Sequence, residues 1–521
     1  MRKLPIGIQG FEELRRDGYV YADKTEYIYR LVHTGKPYFL SRPRRFGKSL
    51  LISTLKAYWE GRQDLFHGLA IDELEKNNPD AWKAYPVFHF DFNGQNYLEP
   101  GALETALDIH LKRWEARYQV NGEAKSIGER FQNLLSEACR QTGRRCVVLV
   151  DEYDKCLLDV METPELQEHN RAVFKGFFST LKAMDEYLQF VLITGVTKFE
   201  KISIFSDLNQ LRDISLTEEY AGICGITEEE MARFFEPEIS ALAHKNNIMA
   251  EECRIQLQKT YDGYRFHPDG PGVYNPFSLL SAFADQDFGS YWFATGTPTF
   301  LIKRIHQTGF DVRKFTDHTL YATEAMLSDY RADHRDLVPL LYQTGYLTIK
   351  DFDLRKRRYT LGFPNEEVTY GMLENLLPEY APVVSRGTGA DIFTLDSYIE
   401  QGNTDGIRDI LTALFASLPY TSGEIPFEHD FQSVLYVVFM LLGQFVQCER
   451  HTWQGRIDCV VEARDYIYIF EFKRDGSAEE ALQQIEEMAY DKPYAADRRK
   501  IFRIGVNFDS GTRMMTGWQV G

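Results

Sequence analysis

From residue 37 to about 225, short apolar runs alternate with longer amphipathic stretches, a pattern that predicts parallel strands covered by helices. The strands it marks are PYFLS, Val87 to Phe92, Cys146 to Glu152, Leu188 to Val196 and Leu211 to Leu216. Runs that are apolar on both faces belong in the middle of a doubly wound α/β sheet. From about 226 to 375 the pattern turns mainly helical, opening with Thr227 and Glu230 at the spacing of a capping box, and reads as a lid region. Near its end, LVPLLYQTGYLTIKDFDLRKRRYTLGFPNEEV has the order of a winged helix: a helix, then two β-type runs around a charged turn. The turn-rich segment from Ala381 to Asp391 predicts a linker, followed by helix, β-hairpin, helix and strand. The expected domains are therefore 1–225, 226–380 and 381–521.

A length of 521 residues agrees with about three domains at ~100–200 residues each. With 44% hydrophobic, 14% aromatic and 26% charged residues, the composition is that of folded globular protein and excludes long disorder. The net charge of -18 repels nucleic acid in bulk, so contact with DNA or RNA must come from local basic patches. Candidates are Arg355, Lys356, Arg357 and Arg358 at the charged turn, and Arg498, Arg499 and Lys500; the alternative for either is a solvated turn. None of the 7 cysteines forms a CxxC pair, so reduced thiols are expected. The N-terminus lacks the apolar core of a signal peptide. The most apolar run, Ser433 to Val446, is shorter than the ~20 residues that span a bilayer and predicts a buried core helix. A cytoplasmic protein with no membrane association is expected.

The first chemistry lies in SRPRRFGKSLLISTL, where Gly47, Lys48 and Ser49 follow an apolar strand and precede a helix, the setting of a phosphate-binding loop. Lys48 would reach the β- and γ-phosphates of ATP and Ser49 would bind Mg²⁺, with Arg45 and Gly47 completing the loop contacts. The pattern G-x-x-x-x-G-K-[ST] is incomplete, because Arg42 stands at its first glycine, and alone the tripeptide could be an ordinary helix start. CVVLVDEYD changes the weighting. Asp151 at the strand end would join the Mg²⁺ shell and Glu152 would polarise the attacking water. Thr194, at the next strand tip, could sense the γ-phosphate or be a plain strand end.

The second chemistry lies in IYIFEFK, whose period of two puts Ile467, Ile469, Glu471 and Lys473 on one face. An isolated ExK can be a surface ion pair. A hairpin turning near Ala463 to Asp465 would, however, bring Asp458 beside Glu471, giving the D…ExK constellation. Two carboxylates would hold Mg²⁺ and the lysine would orient water for phosphodiester hydrolysis. Glu428 could complete the metal shell, with Gln432 as a substitute, and Gln484 could contact substrate; solvation of a helix face is the alternative for each.

These segments, with YVYADKTEYIYRL, FVLITGVTKF, LNQLRDISLTEEYAGICGITEEE, YDGYRF, YNPFSLL, FPNEEV and ALQQI, give the chain a resemblance to bacterial AAA-ATPase-like proteins that end in a PD-(D/E)XK nuclease-superfamily domain. The resemblance spans nearly the whole chain. It implies a P-loop NTPase parallel sheet with a helical and winged-helix lid, followed by a small α/β/α domain, and makes Arg42 a family trait. It also points to mobile-element or defence biology. The leading expectation is an ATP-binding, ATP-hydrolysing protein that controls a Mg²⁺-dependent nuclease acting on nucleic acid, DNA before RNA, and that is compatible with a homo-oligomer. Two alternatives are a nucleotide switch and a DNA-remodelling ATPase, in either of which the C-terminal domain binds without cutting. No arginine finger is assignable.

Overall fold

The computed structural model describes residues 2–120, 126–198, 204–205, 208, 210–293, 299–315, 319–328, 336–380, 389–416, 427–443, 445–451, 456–509, 511–512 and 514–521, with the side chains of 299–300, 379–380, 389–393, 416, 427–432 and 445–451 left out. The chain divides into two compact units, Met1–Trp292 with Tyr321–Glu367, and Phe293–Leu320 with Val368–Gly521.

The first unit is built on five parallel strands, β1 (Pro37–Ser41), β2 (Val87–Asp91), β3 (Cys146–Asp151), β4 (Leu188–Gly195) and β5 (Arg212–Asp213), in the order β2-β3-β4-β1-β5. All six residues of β3 are buried, as a strand covered on both faces by helices requires. The register aligns Asp91 with Asp151, Val150 with Ile193, and Ser41 with Gly195, so the polar ends of four strands share the carboxyl edge of the sheet. One strand, β4, therefore separates the loop after β1 from the acidic end of β3. On one face of β2, Phe88 and Phe90 pack edge-on against Trp114 and Phe131 of the covering helices.

The fifth strand is shorter than its sequence pattern suggests. The Asp213 carboxylate accepts the Ser215 N–H at 2.9 Å, and the Ser215 hydroxyl accepts the Ser41 N–H at 2.9 Å. After one more backbone bond, from the Ile214 N–H to Phe39 O at 3.0 Å, side chains replace the ladder.

Past β6 (Ile226–Thr227), the capping box of Thr227 and Glu230 starts helix Glu228–Phe234. Helices Glu236–Lys245, Ala250–Tyr261 and Pro276–Asp285 join it around a separate core of Met231, Phe235, Leu257, Tyr261 and Phe283. β7 (Val273–Tyr274) pairs with β6. Helix Val338–Thr344 ends at Gly345, and the antiparallel hairpin β9 (Thr348–Asp353) and β10 (Arg358–Gly362) follows. Phe352 and Tyr359 pair across it with centroids 4.6 Å apart. β8 (Leu320–Ala322) completes a sheet of order β8-β10-β9.

The second unit carries β11 (Phe445–His451), β12 (Arg456–Glu462), β13 (Tyr466–Arg474), β14 (Lys500–Phe508) and β15 (Met515–Val520) in sequential order. Every pairing is antiparallel except β13 with β14, which helix Ala478–Glu487 connects as a crossover. The apolar run from Ser433 divides: helix Phe427–Leu441 buries Val434 to Phe439, the chain turns at Gly443, and β11 begins at Phe445. Among the described residues no helix is long and apolar enough to cross a membrane. Of the expected linker, residues 381–388 lie outside the described residues, and Gly389 to Asp391 belong to helix Gly389–Gln401, in which Leu395 and Ile399 are buried. Cys139, Cys146, Cys156, Cys224 and Cys253 carry free thiols.

Candidate functional site

β1 runs directly into the loop 42–47. Gly47 adopts φ 88° with nothing within 4 Å of a would-be Cβ, so glycine serves the left-handed backbone there rather than a lack of space. Arg45 is also left-handed, at φ 67°, with its guanidinium 4.8 Å over the Phe277 ring. Lys48 opens helix Lys48–Trp59, and its buried ammonium folds back to donate to the Arg42 and Pro43 carbonyls at 3.0 Å each. Ser49 follows, half-buried, at the N-terminal end of the helix dipole, where free N–H groups attract anions.

At the end of β3, Asp151 is buried and accepts the Thr194 hydroxyl on Oδ1 at 2.7 Å. Thr194 thus meets the acidic strand through Asp151. Glu152 leaves the strand at φ 52°, a conformation uncommon for a residue with a side chain and one that clusters at functional sites. Burial raises its carboxyl above the usual range; Lys48 opposes the shift and Asp151 adds to it.

Sequence reasoning did not single out Asp154. It is buried and accepts the N–H groups of Val196 and Thr197 at 3.1 and 2.6 Å and the Thr197 hydroxyl at 2.7 Å. It locks the chain leaving β3 to the chain leaving β4. Its signal was the last carboxylate of DEYD.

In the second unit, β12 and β13 form the hairpin through Ala463, whose N–H donates to Tyr466 O at 2.9 Å. Cys459 pairs with Phe470, so Asp458 lies opposite Glu471. Asp458 accepts the Phe472 N–H through Oδ2 at 2.8 Å. Glu471 is 3% exposed and its Oε2 has no hydrogen-bond partner. Its carboxyl is pushed up to about 8, first by burial and next by the Asp458 charge, with Lys473 opposing.

The Lys473 ammonium lies 3.8 Å from Glu471 Oε1 and donates to Gln484 Oε1. Gln484 Nε2 in turn donates to Tyr490 at 3.4 Å, and the Tyr490 hydroxyl donates to Arg456 O at 2.8 Å. Tyr490 is a link that nothing in the sequence marked. Gly505, paired with Glu471, lets the crossover helix close in: a Cβ there would meet Ala478 O at 2.1 Å and Leu482 N at 2.7 Å.

The pair of carboxylates is hard-oxygen chemistry that fits a divalent cation, and the buried Glu471 Oε2, without a protein partner, fits one as well. Among the described residues no group of three potential ligands exists. Glu428 and Gln432 are on helix Phe427–Leu441, but their side chains lie outside the described residues.

The basic clusters differ. At the β9–β10 turn, Arg355, Lys356 and Arg357 are exposed beside Leu354, which is 79% exposed, while Arg358 turns back over the Tyr321 ring at 3.8 Å. Arg499 is held by Glu462 and Asp497 at 2.7 Å each, which neutralises the centre of the other cluster.

Residues 5–205 match the family described as "Predicted AAA-ATPase", and residues 426–518 match the PD-(D/E)XK nuclease superfamily. A protein of Azotobacter chroococcum mcd 1, described as "Uncharacterized protein in vnfD 5'region", is 36% identical over 543 residues, covering 100% of this chain and 99% of that protein. With strand order, the loop 42–47, the β12–β13 hairpin and this end-to-end likeness in agreement, the chain belongs to the family of predicted AAA-ATPases that carry a PD-(D/E)XK nuclease-superfamily domain at the C-terminal end.

Proposed function

We propose that this protein binds and hydrolyses ATP at the loop of Arg45, Gly47, Lys48 and Ser49, and that the nucleotide state controls a Mg²⁺-dependent nuclease site made by Asp458, Glu471 and Lys473. The observation that carries the reading is Glu471 Oε2, a buried carboxylate oxygen with no partner, opposite Asp458 and beside a lysine held in place by Gln484. A fold tolerates that arrangement when a cation supplies the missing charge.

Asp458 and Glu471 would hold the metal, with Glu428 as a candidate third ligand. Bound Mg²⁺ supplies Lewis-acid stabilisation of the phosphodiester and a more acidic water. Asp458 Oδ2 accepts the Phe472 N–H, which fixes where the carboxylate points. Lys473 orients water and offsets charge that builds on the phosphate, while Gln484 and Tyr490 fix where its ammonium points.

At the nucleotide, Lys48 exchanges two backbone carbonyls for the β- and γ-phosphates, a charge-assisted gain. Ser49 and Asp151 hold the Mg²⁺ that accompanies ATP, Thr194 keeps Asp151 in place, and Glu152 polarises the attacking water. The domains are 1–225, 226–380 as a lid with a winged-helix end, and 381–521. DNA is the proposed nucleic acid, approached by Arg355, Lys356 and Arg357 at the exposed turn. The setting is the cytoplasm.

Incubating the purified protein with supercoiled plasmid, linear duplex and single-stranded DNA, with and without ATP and Mg²⁺, tests the reading. Mg²⁺-dependent cleavage whose rate responds to ATP supports it. ATP hydrolysis with no cleavage of any DNA, or of RNA added in parallel, refutes it and leaves a nucleotide switch or a remodelling ATPase.

A further inference from the structure

Arg42 stands where a phosphate-binding loop of the usual pattern has its first glycine, yet its side chain is 1% exposed and points neither to solvent nor into the loop. Nη1 donates to Ser41 O at 2.9 Å and Ser215 O at 2.8 Å, and Nη2 donates to Tyr220 O at 3.0 Å. The guanidinium carbon lies 3.9 Å from the centroid of the Phe266 ring. Among the described residues no carboxylate bonds to it. Burying a cation without a counter-charge is costly, and here three carbonyl dipoles and an aromatic face offset the cost.

The main chain of Arg42 is engaged as well. Its N–H donates to Gly195 O at the end of β4 at 3.2 Å, and its carbonyl accepts the Lys48 ammonium at 3.0 Å. Four residues on, the Phe46 ring packs edge-on against Tyr264 and Phe266, with centroids 4.8 and 5.7 Å apart, and Phe46 O accepts the Gly225 N–H at 3.2 Å. Both ends of the loop are thus fastened to the crossover 215–225 and to Phe266, the segment that leads from β5 into the helical region.

We propose that Arg42 is a positioning residue for nucleotide binding: its guanidinium pins the loop to Ser215, Tyr220 and Phe266, aims its own carbonyl at Lys48, and carries displacement of Lys48 to the helical region. The inference rests on the nucleotide reading above. A glycine would free the backbone but take the guanidinium donors from the Ser41, Ser215 and Tyr220 carbonyls, of which Tyr220 O keeps the Ile223 N–H at 3.2 Å, and would untie the loop from Ser215, so restoring the usual loop pattern should weaken the site.

The test is equilibrium binding of a fluorescent ATP analogue, with steady-state hydrolysis and circular dichroism, on wild type, Arg42→Gly, Arg42→Lys, Phe266→Leu and Lys48→Ala. Arg42→Gly should keep its secondary structure and lose roughly tenfold or more in affinity, as loss of charge-assisted hydrogen bonds predicts. KM should rise more than kcat falls, and Arg42→Lys should lie between Gly and wild type. Low-millimolar guanidinium should restore binding in Arg42→Gly and leave Lys48→Ala unchanged. Arg42→Gly that binds as tightly as wild type overturns the proposal. If that variant does not fold, Phe266→Leu decides: it keeps the carbonyl bonds and removes the ring face, and unchanged affinity there also overturns it. Failure of the nucleotide reading looks different, since wild type and Lys48→Ala would then bind the analogue alike.

Discussion

Asp458 accepts the Phe472 N–H through Oδ2 at 2.8 Å, so the carboxylate of one hairpin strand is pinned to the backbone between Glu471 and Lys473 on the other. On the proposed nuclease reading the three side chains act as a unit. Asp458→Ala, Glu471→Ala and Lys473→Ala should each abolish Mg²⁺-dependent cleavage while ATP binding persists, and the Asp458/Glu471 double variant should be no worse than either single one. Gln484→Ala should be milder, ~10–100-fold, because it loosens Lys473 without removing it. Rates of plasmid conversion check the series; cleavage that survives in all three alanine variants contradicts the assignment.

The metal-free state of Glu471 carries a pH signature. Its folded value, about 8, exceeds the ordinary 4.5, so its contribution to stability is fully present below 4.5 and is lost as pH rises through 8. In chelator, wild type should lose thermal stability across that window more steeply than Glu471→Gln, and Mg²⁺ should restore wild type alone. Identical pH–Tm curves for the two proteins would remove the argument for a strained carboxylate.

For the nucleotide site, Glu152→Gln should bind ATP normally and hydrolyse it ~10²–10⁴-fold more slowly, the usual contribution of a general base. Thr194→Val should also slow hydrolysis, because Asp151 loses the donor that holds it. Phosphate release measured beside nucleotide binding separates the effects. Unchanged hydrolysis in Glu152→Gln would reduce that residue to a strand-end carboxylate.

Neutralising Arg355, Lys356 and Arg357 should weaken DNA binding at every sequence and flatten the slope of log K against log salt by about 0.9 per lost phosphate contact. Arg358, stacked on Tyr321, should matter less for DNA than for the hairpin itself. A salt titration by fluorescence anisotropy reads both, and an unchanged slope returns the turn to simple solvation.

The strands of the first sheet were legible because runs such as CVVLVD are apolar on both faces, and the D…ExK hairpin because a period of two fixes which residues share a face. β5 was not legible at full accuracy: the Asp213 and Ser215 side chains, which end it, look like ordinary strand polars. The resemblance made Arg42 a family trait, but what its side chain does was not legible, since its carbonyl partners in Ser215 and Tyr220 lie 173 and 178 residues away along the chain. Tyr490 was silent for a related reason. Its role exists only once the crossover helix rests on Gly505.

The central claim, that nucleotide at one site governs cutting at another, is tested most directly by plasmid cleavage in Mg²⁺, with and without ATP, using wild type, Lys48→Ala and Glu471→Ala at equal concentration. Wild type should cleave at a rate that changes with ATP, Lys48→Ala should cleave at one rate whether or not ATP is present, and Glu471→Ala should not cleave at all. Cleavage by Lys48→Ala that still responds to ATP as wild type does, or cleavage by Glu471→Ala, would contradict the account.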